Sequence, residues 1–232
     1  MKIISGVCFI PILGLLLMSG TAQGQIVTET TKKKVSIGVG LFTDIWINAP
    51  KGVHFRAINQ GFQAFTTYNV MFGKSNFGFG IGLGFSTHNL YGNFLVNSHP
   101  DSTRLEPIPD SISYKRSKLC MPYLWIPIEF RFISKTKIAF AIGFKAGYML
   151  TAHSKYVGDD YIGENNVHYP HDELRMKLRG IRNMERFAYG PTIRFGYKWF
   201  HVSAYYSLST IFNKNKGPDV YPVSVGFLLL PF

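Results

Sequence analysis

The strongest constraint on the fold is a strict alternation of large apolar residues with small or polar ones. Between residues 76 and 86, five large apolar side chains alternate with four glycines; the apolar set is Phe77, Phe79, Ile81, Leu83 and Phe85. A period of two residues is typical of a β-strand whose two faces meet different surroundings. Two folds fit this strand: a soluble sandwich that buries the apolar face, or a membrane barrel that turns it to lipid.

The alternation recurs in eight segments, most of them near the roughly 9–11 residues that a strand needs to cross a membrane. The predicted strands are 35–42, 61–72, 76–86, 123–133, 137–150, 186–198, 200–209 and 223–232. A disordered chain is rich in charge and poor in aromatic residues, whereas aromatic residues make up 16% of this sequence and charged residues also 16%. The composition therefore argues against a disordered chain.

The connections between these strands alternate in length. Tight turns are predicted at 73–75, 134–136 and 198–199, and long connections at 43–60, 87–118, 151–184 and 211–221. Short turns at one end and long loops at the other are typical of bacterial outer-membrane barrels, and loops longer than about 15 residues are uncommon in compact soluble domains. The sequence predicts an all-β chain: an eight-stranded antiparallel transmembrane β-barrel with four long extracellular loops.

The first 24 residues predict a secretory signal peptide. Lys2 supplies a positive start, an apolar run broken by glycine and proline follows, and small residues at 19–24 suit cleavage. We therefore expect residues 1–24 to be removed and residues 25–232 to form the barrel in the cell outer membrane. The mature chain keeps one cysteine, Cys120, which cannot form an internal disulfide.

The lumen face predicted from the alternation carries Glu129, Arg131, Lys145 and Arg194. The interior of an eight-stranded barrel is just wide enough for its own side chains, so these charges must pair or stay hydrated. We interpret them as a structural network that plugs the lumen, with a proton or ion path as the alternative. Because three bases face one acid, water, Tyr205 or another acid must contribute.

Basic residues are concentrated in the second and third long loops. They are Lys115, Arg116, Lys118, Arg175, Lys177, Arg179 and Arg182. The whole chain carries a net charge of +12, which predicts an anionic counterpart. An exported protein is not expected to meet nucleic acid, so we expect these residues to contact lipopolysaccharide phosphates or an acidic partner protein. A merely solubilising loop surface is the alternative.

Two further clusters suggest chemistry and have weaker support. His201 and Ser203 lie on one strand face, as in small outer-membrane barrels that deacylate lipid A, but such a hydrolase needs an acid to orient the histidine. The third long loop contains residue types that bind divalent cations, namely His168, His171, Asp172 and Glu173. We predict no catalytic residue, no metal, no cofactor and no small-molecule substrate.

Aromatic residues near strand ends predict a girdle at each membrane interface. The candidates are Trp125, Tyr148, Tyr189, Tyr197, Trp199 and Tyr206.

The second half of the chain contains a series of short motifs. They are PYLWIPIEFRF at 122–132, GFKAGY at 143–148 with AHSK at 152–155, YGP at 189–191 with RFGY at 194–197, AYYSLSTIF at 204–212, GP at 217–218 and PVSVG at 222–226. This series resembles the PorT-like outer-membrane barrels of Bacteroidota-type bacteria.

The resemblance implies an eight-stranded outer-membrane protein that takes part in type IX secretion, the route that exports cargo with C-terminal signals for gliding or surface display. It implies other secretion-system proteins as partners, and it brings no catalytic residue. Two alternatives remain: an envelope or surface ligand-binding barrel whose basic loops contact lipopolysaccharide, and a lipid A-modifying hydrolase.

Overall fold

A computed structural model describes residues 34–160 and 169–230. Twelve strands lie in these residues. They are β1 (Val35–Ile47), β2 (Gln60–Met71), β3 (Phe77–Tyr91), β4 (Phe94–Ser98), β5 (Thr103–Pro107), β6 (Tyr114–Ile133), β7 (Ile138–Met149), β8 (His153–Asp160), β9 (Tyr169–Arg179), β10 (Phe187–Tyr197), β11 (Phe200–Tyr206) and β12 (Tyr221–Leu229). No helix in the described part of the chain is long and apolar enough to cross a membrane. The predicted signal peptide lies outside the described residues.

Eight of the strands close into one antiparallel barrel. Their order around the barrel is β1, β2, β3, β6, β7, β10, β11 and β12, and β12 pairs back with β1. The closure leaves no free edge in the spanning region, as a lipid environment requires. The predicted eight-stranded antiparallel barrel is confirmed.

The apolar face of each barrel strand points outward, because an interior this narrow has no room for it. On β3, Phe77 is 44% exposed and Leu83 is 66% exposed, and the other barrel strands show the same alternation. Exposed rows of this kind are suited to lipid.

The lumen-facing glycines have a packing role. An aromatic ring from the neighbouring strand lies over several of them: Phe65 over Gly38, Trp125 over Gly147 and His201 over Gly196. A ring and a bare backbone position together fill the space that two ordinary side chains would overfill. The alternating glycines are therefore the sites that make room for large lumen side chains.

The two ends of the barrel differ as predicted. Each of the three short turns contains one residue in the left-handed region: Gly73 at φ 60°, Lys137 at φ 65° and Lys198 at φ 54°. Such residues let a hairpin reverse within a few positions.

The predicted boundaries of two long loops, 87–118 and 151–184, are wrong. In the structure β3 continues to Tyr91 and β6 begins at Tyr114, and the two pair up to Tyr91 opposite Lys118. The segment between them contains the β4–β5 hairpin, and β8 and β9 pair in turn on the upper part of β6. The alternation was missed here because the outward positions above the membrane carry charged rather than apolar side chains.

A hydrophobic core fills the long-loop end of the barrel. It combines upper strand residues with residues of the connections, including Leu90, Phe94, Leu119, Met121, Phe212 and Val220, and all six are fully or almost fully buried. The β4–β5 hairpin contributes Phe94, Val96 and Leu105 to this core. We call this core the outer cap; its members are side chains from every long connection, so the loops form a folded layer over the lumen.

Candidate functional site

The lumen contains an ion pair between strands that are not neighbours. Arg194 on β10 donates from Nη2 to Oε2 of Glu129 on β6 at 2.7 Å, and both residues are buried. Arg131 lies with its Nε 3.9 Å from the same carboxylate oxygen. It also donates to Asn69 and, at 3.3 Å, to the hydroxyl of Ser36. One carboxylate thus serves two guanidinium groups, and polar residues of β1 and β2 satisfy the rest of Arg131.

Lys145 is held by aromatic rings instead of an acid. Its Nζ lies 3.8 Å from the ring centroid of Tyr205 and 4.2 Å from that of Trp125. Such cation–π contacts stabilise a poorly hydrated ammonium group. The indole N–H of Trp125 donates to the Ser86 hydroxyl at 2.6 Å, which fixes the ring. Tyr205 was one of the groups expected to offset the excess of lumen bases, and its ring does so at Lys145.

Trp125 was wrongly assigned to the aromatic girdle. The residue is 5% exposed and points into the lumen, because its position on β6 has the same parity as Glu129 and Arg131. The other candidates are exposed on the outer face: Tyr148, Tyr189 and Tyr206 towards the long-loop end, and Tyr197 and Trp199 at the short-turn end.

The lumen contains a second acid, Asp44, which the alternation did not identify. Asp44 is fully buried on β1, and its carboxylate oxygens lie 3.0 and 3.1 Å from Nδ1 of His88 on β3. The Ser224 hydroxyl on β12 donates to the same carboxylate at 2.6 Å. The predicted first strand ends at residue 42, which leaves Asp44 in a loop. The signal available in the sequence was its parity: Asp44 lies two residues beyond that end and shares the lumen parity of the strand.

These groups border a lumen cavity of about 70 Å³. Its lining includes Glu129, Arg194, Lys145, His88, Ser203 and Tyr205. A buried water occupies at least about 10–15 Å³ of such volume, so the cavity has room for a few water molecules. The lumen is therefore a charged plug beneath the outer cap, with space for water beside its charged groups.

His201 and Ser203 lack the geometry of a hydrolase. His201 is 3% exposed at the lumen side, and its Nε2 lies 3.1 Å from the Lys198 carbonyl. Its Nδ1 has no hydrogen-bond partner in the described residues, so no acid there orients the ring. A lipid chain outside the barrel does not reach this position.

Of the third-loop residues whose types could bind a divalent cation, only Glu173 has a described side chain. His168 lies outside the described residues, as do the side chains of His171 and Asp172. Glu173 accepts hydrogen bonds from Arg175 at 3.2 Å and Lys115 at 3.4 Å, which lower the pKa of its carboxyl group. In the described part of the chain no three His, Cys, Asp or Glu side chains cluster as a metal site would require.

Five of the predicted basic loop residues share one face of a small sheet above the membrane. The register of β6, β8 and β9 places Lys118, Lys155 and Lys177 directly opposite one another in one row. The rows on either side contain Arg116 with Arg175, and Cys120 and His153 with Arg179. We call the set Arg116, Lys118, Lys155, Arg175, Lys177 and Arg179 the basic face. Lys155 is absent from the prediction because it stands alone in the sequence, apart from the basic runs at 115–118 and 175–182.

The remaining two predicted basic residues lie elsewhere. Lys115 is beside Glu173, and Arg182 is in the turn after β9, where its backbone N–H donates to the Ser98 hydroxyl at 2.9 Å. Neither belongs to the rows of the basic face.

His153 responds to the positive charge of the basic face. Partial burial lowers the pKa of its imidazole, and Lys177, Lys118, Arg179 and Lys155 lower it further. Four cations therefore act on one imidazole.

The match to a family model agrees with the barrel. A family model described as "Outer membrane protein beta-barrel domain" matches residues 25–213. No curated protein matches the sequence. Two solved structures of Ail, the attachment invasion locus protein of Yersinia pestis, match with TM-scores of 0.39, covering 85% of this chain and 97% of that chain. The structure in complex with the heparin analogue sucrose octasulfate is 14% identical and the other is 13% identical.

Proposed function

The chain belongs to the family of outer membrane protein beta-barrel domains, and on that premise we propose that it is a non-enzymatic accessory component of protein export. The export route is type IX secretion, and the role is of the PorT-like kind. Family membership supports an outer-membrane location. The motifs between residues 122 and 226 support the PorT-like role.

The observation that carries the proposal is the outer cap. Buried side chains such as Phe94 and Phe212 fill the long-loop end, and the charged plug around Glu129 fills the lumen below. A barrel filled in this way offers no path for a polypeptide. The protein therefore acts beside a conduit, by binding, rather than as the conduit itself.

The folded layer outside the membrane is the part suited to a partner. The β4–β5 hairpin is a separate two-stranded sheet that packs into the outer cap, and the β8–β9 hairpin extends the barrel sheet beyond the spanning strands. Rigid extensions of this kind lower the entropic cost of binding.

Deletion of the gene tests the export role. We expect a cargo with a C-terminal type IX signal to disappear from the cell surface and to accumulate inside the envelope, and a plasmid copy to restore display. The level of unrelated outer-membrane proteins serves as the control, because a general assembly defect would lower those too. Normal surface display in the deletion strain would refute the proposal.

A second candidate is a surface barrel that binds an anionic ligand. The observation that favours it is the basic face, where Lys118, Lys155 and Lys177 lie side by side. If this role is the correct one, deletion of the gene should leave the export of cargo normal.

A further inference from the structure

The basic face has a position and a charge that fit one partner. We infer that it binds the phosphate groups of lipopolysaccharide in the outer leaflet around the barrel. The inference rests on the second candidate function, the binding of an anionic ligand, and not on the export role.

Most cations of the basic face lack an acidic partner among the described residues. Glu173 pairs with Lys115 and Arg175 at one end of the sheet. Within the described residues, none of Arg116, Lys155, Lys177 and Arg179 forms an ion pair. Like charges directly opposite one another on neighbouring strands are destabilising. An anion bound between them removes that repulsion and gains charge-assisted hydrogen bonds.

The basic face is continuous with the lipid-facing surface of the barrel. On β6, Leu124, Ile126 and Ile128 are exposed on the outer face. Arg116 and Lys118 precede them on the strand with the same parity, towards the long-loop end. The four residues from Leu124 to Cys120 rise about 13 Å along the strand. With a strand tilt near 40°, this is about 10 Å along the membrane normal. The row of Cys120, His153 and Arg179, which is the row of the basic face nearest the spanning strands, thus lies at the depth of the headgroups.

The cations of the central row lie close enough together to share one ligand. Neighbouring strands lie about 4.8 Å apart, so the row Lys118, Lys155 and Lys177 spans about 10 Å. Flexible lysine side chains at this spacing can converge on one phosphate or bridge two on the same headgroup. A neutral polysaccharide carries no anionic group for this row to bind.

One end of the lysine row is held in place by contacts within the protein. The Lys118 ammonium donates to the Asn89 side chain at 3.1 Å and lies 5.3 Å from the Tyr91 ring centroid. Arg56, in the connection between β1 and β2, lies over the same Tyr91 ring at 5.6 Å. Because Tyr91 belongs to β3, the positive surface extends as far as that strand. Both cations therefore contact the same ring, that of Tyr91 on β3.

The test uses the full mature chain folded in phosphatidylcholine bicelles and titrated with purified lipopolysaccharide. The variant is Lys118→Gln/Lys155→Gln/Lys177→Gln. The matched control is Lys51→Gln/Lys214→Gln/Lys216→Gln, which removes the same charge from exposed lysines at the same end of the barrel. A heat-dependent gel shift checks that all forms are folded.

We expect the variant to bind on the order of a hundredfold more weakly, because each lysine near an anionic surface contributes roughly fivefold. The control triple should bind within about twofold of the wild type at any salt concentration. Binding of the wild type should weaken with salt and with dephosphorylated lipopolysaccharide.

Equal binding by the variant and the wild type would overturn the inference. Undiminished binding of dephosphorylated lipopolysaccharide would also overturn it, because the ligand would then be sugar. The assay uses purified protein, so its result is independent of cargo export: the triple variant should restore display in the deletion strain even where it fails to bind phosphate.

Discussion

Glu129 and Arg194 join two strands that are separated by a third. The 2.7 Å hydrogen bond runs from β10 to β6 across the lumen, while β7 lies between them in the wall of the barrel. The same carboxylate lies 3.9 Å from Arg131. The lumen pair is thus a cross-brace whose acid is shared by two bases.

Replacing Glu129 with Gln should destabilise the barrel by about 3–5 kcal/mol, because two buried guanidinium groups lose their counter-charge. The change keeps the volume of the side chain, so packing contributes little. Urea titration in bicelles, followed by tryptophan fluorescence and the heat-dependent gel shift, measures the loss.

Glu173→Gln is the matched control for that substitution. Glu173 also contacts two basic residues, but it lies exposed above the membrane, where solvent screens the pair. Its urea midpoint should equal that of the wild type. If Glu129→Gln had no larger effect than Glu173→Gln, the lumen pair would not be a cross-brace.

Gly147→Ala should destabilise the barrel by about 1–3 kcal/mol through overpacking. A Cβ at this position would lie 2.3 Å from the Trp125 ring, which the hydrogen bond to Ser86 holds in place. Urea titration under the same conditions measures the change.

Gly84→Ala is the control for this effect. A Cβ there would meet the Cβ of Phe65 at 3.0 Å, a contact that a small strand shift relieves. The reduced freedom of the unfolded chain then offsets the cost, so stability should change little. Equal losses at both glycines would show that ring packing is not the cause.

The barrel was predictable from the sequence because its signal is local. Alternation over a few residues defined each spanning strand and placed Glu129, Arg131, Lys145 and Arg194 on the lumen side. Contact with lipid requires only that a side chain be apolar, so the outward positions of those strands repeat one simple pattern.

The parts that were missed depend on contacts between distant residues. Asp44 resembles a loop residue until His88 and Ser224, 44 and 180 positions away, make its burial possible. The β8–β9 hairpin was hidden because Arg175, Lys177 and Arg179 occupy its outward positions. Only the register with β6 shows that these charges meet in rows.

Phe212→Ala should loosen the outer cap and leave the spanning barrel intact. Phe212 is almost fully buried in the cap, and removal of such a ring costs about 3–5 kcal/mol. Hydrogen exchange followed by mass spectrometry should show faster exchange in the β4–β5 hairpin and in the connection before β12. The lumen pair and the closed strands do not depend on Phe212, so the spanning strands should stay protected and the gel shift unchanged. Loss of protection across the whole barrel would mean that the cap and the barrel form one cooperative unit.

The ionisation of His153 reports the charge of the basic face. Burial and the neighbouring cations Lys177, Lys118, Arg179 and Lys155 hold the pKa of its imidazole below the ordinary value of 6.5. Because the unfolded chain binds the proton first, this histidine lowers stability as pH falls from about 6.5 to the folded-state pKa, and has no further effect below it. Lys177→Gln removes the largest charge effect, so the imidazole signal in NMR should titrate at higher pH. Lys51→Gln is the control and should leave the titration in place. Bound phosphate should raise the pKa in the wild type for the same reason, and a titration indifferent to Lys177→Gln would show that burial alone sets the pKa.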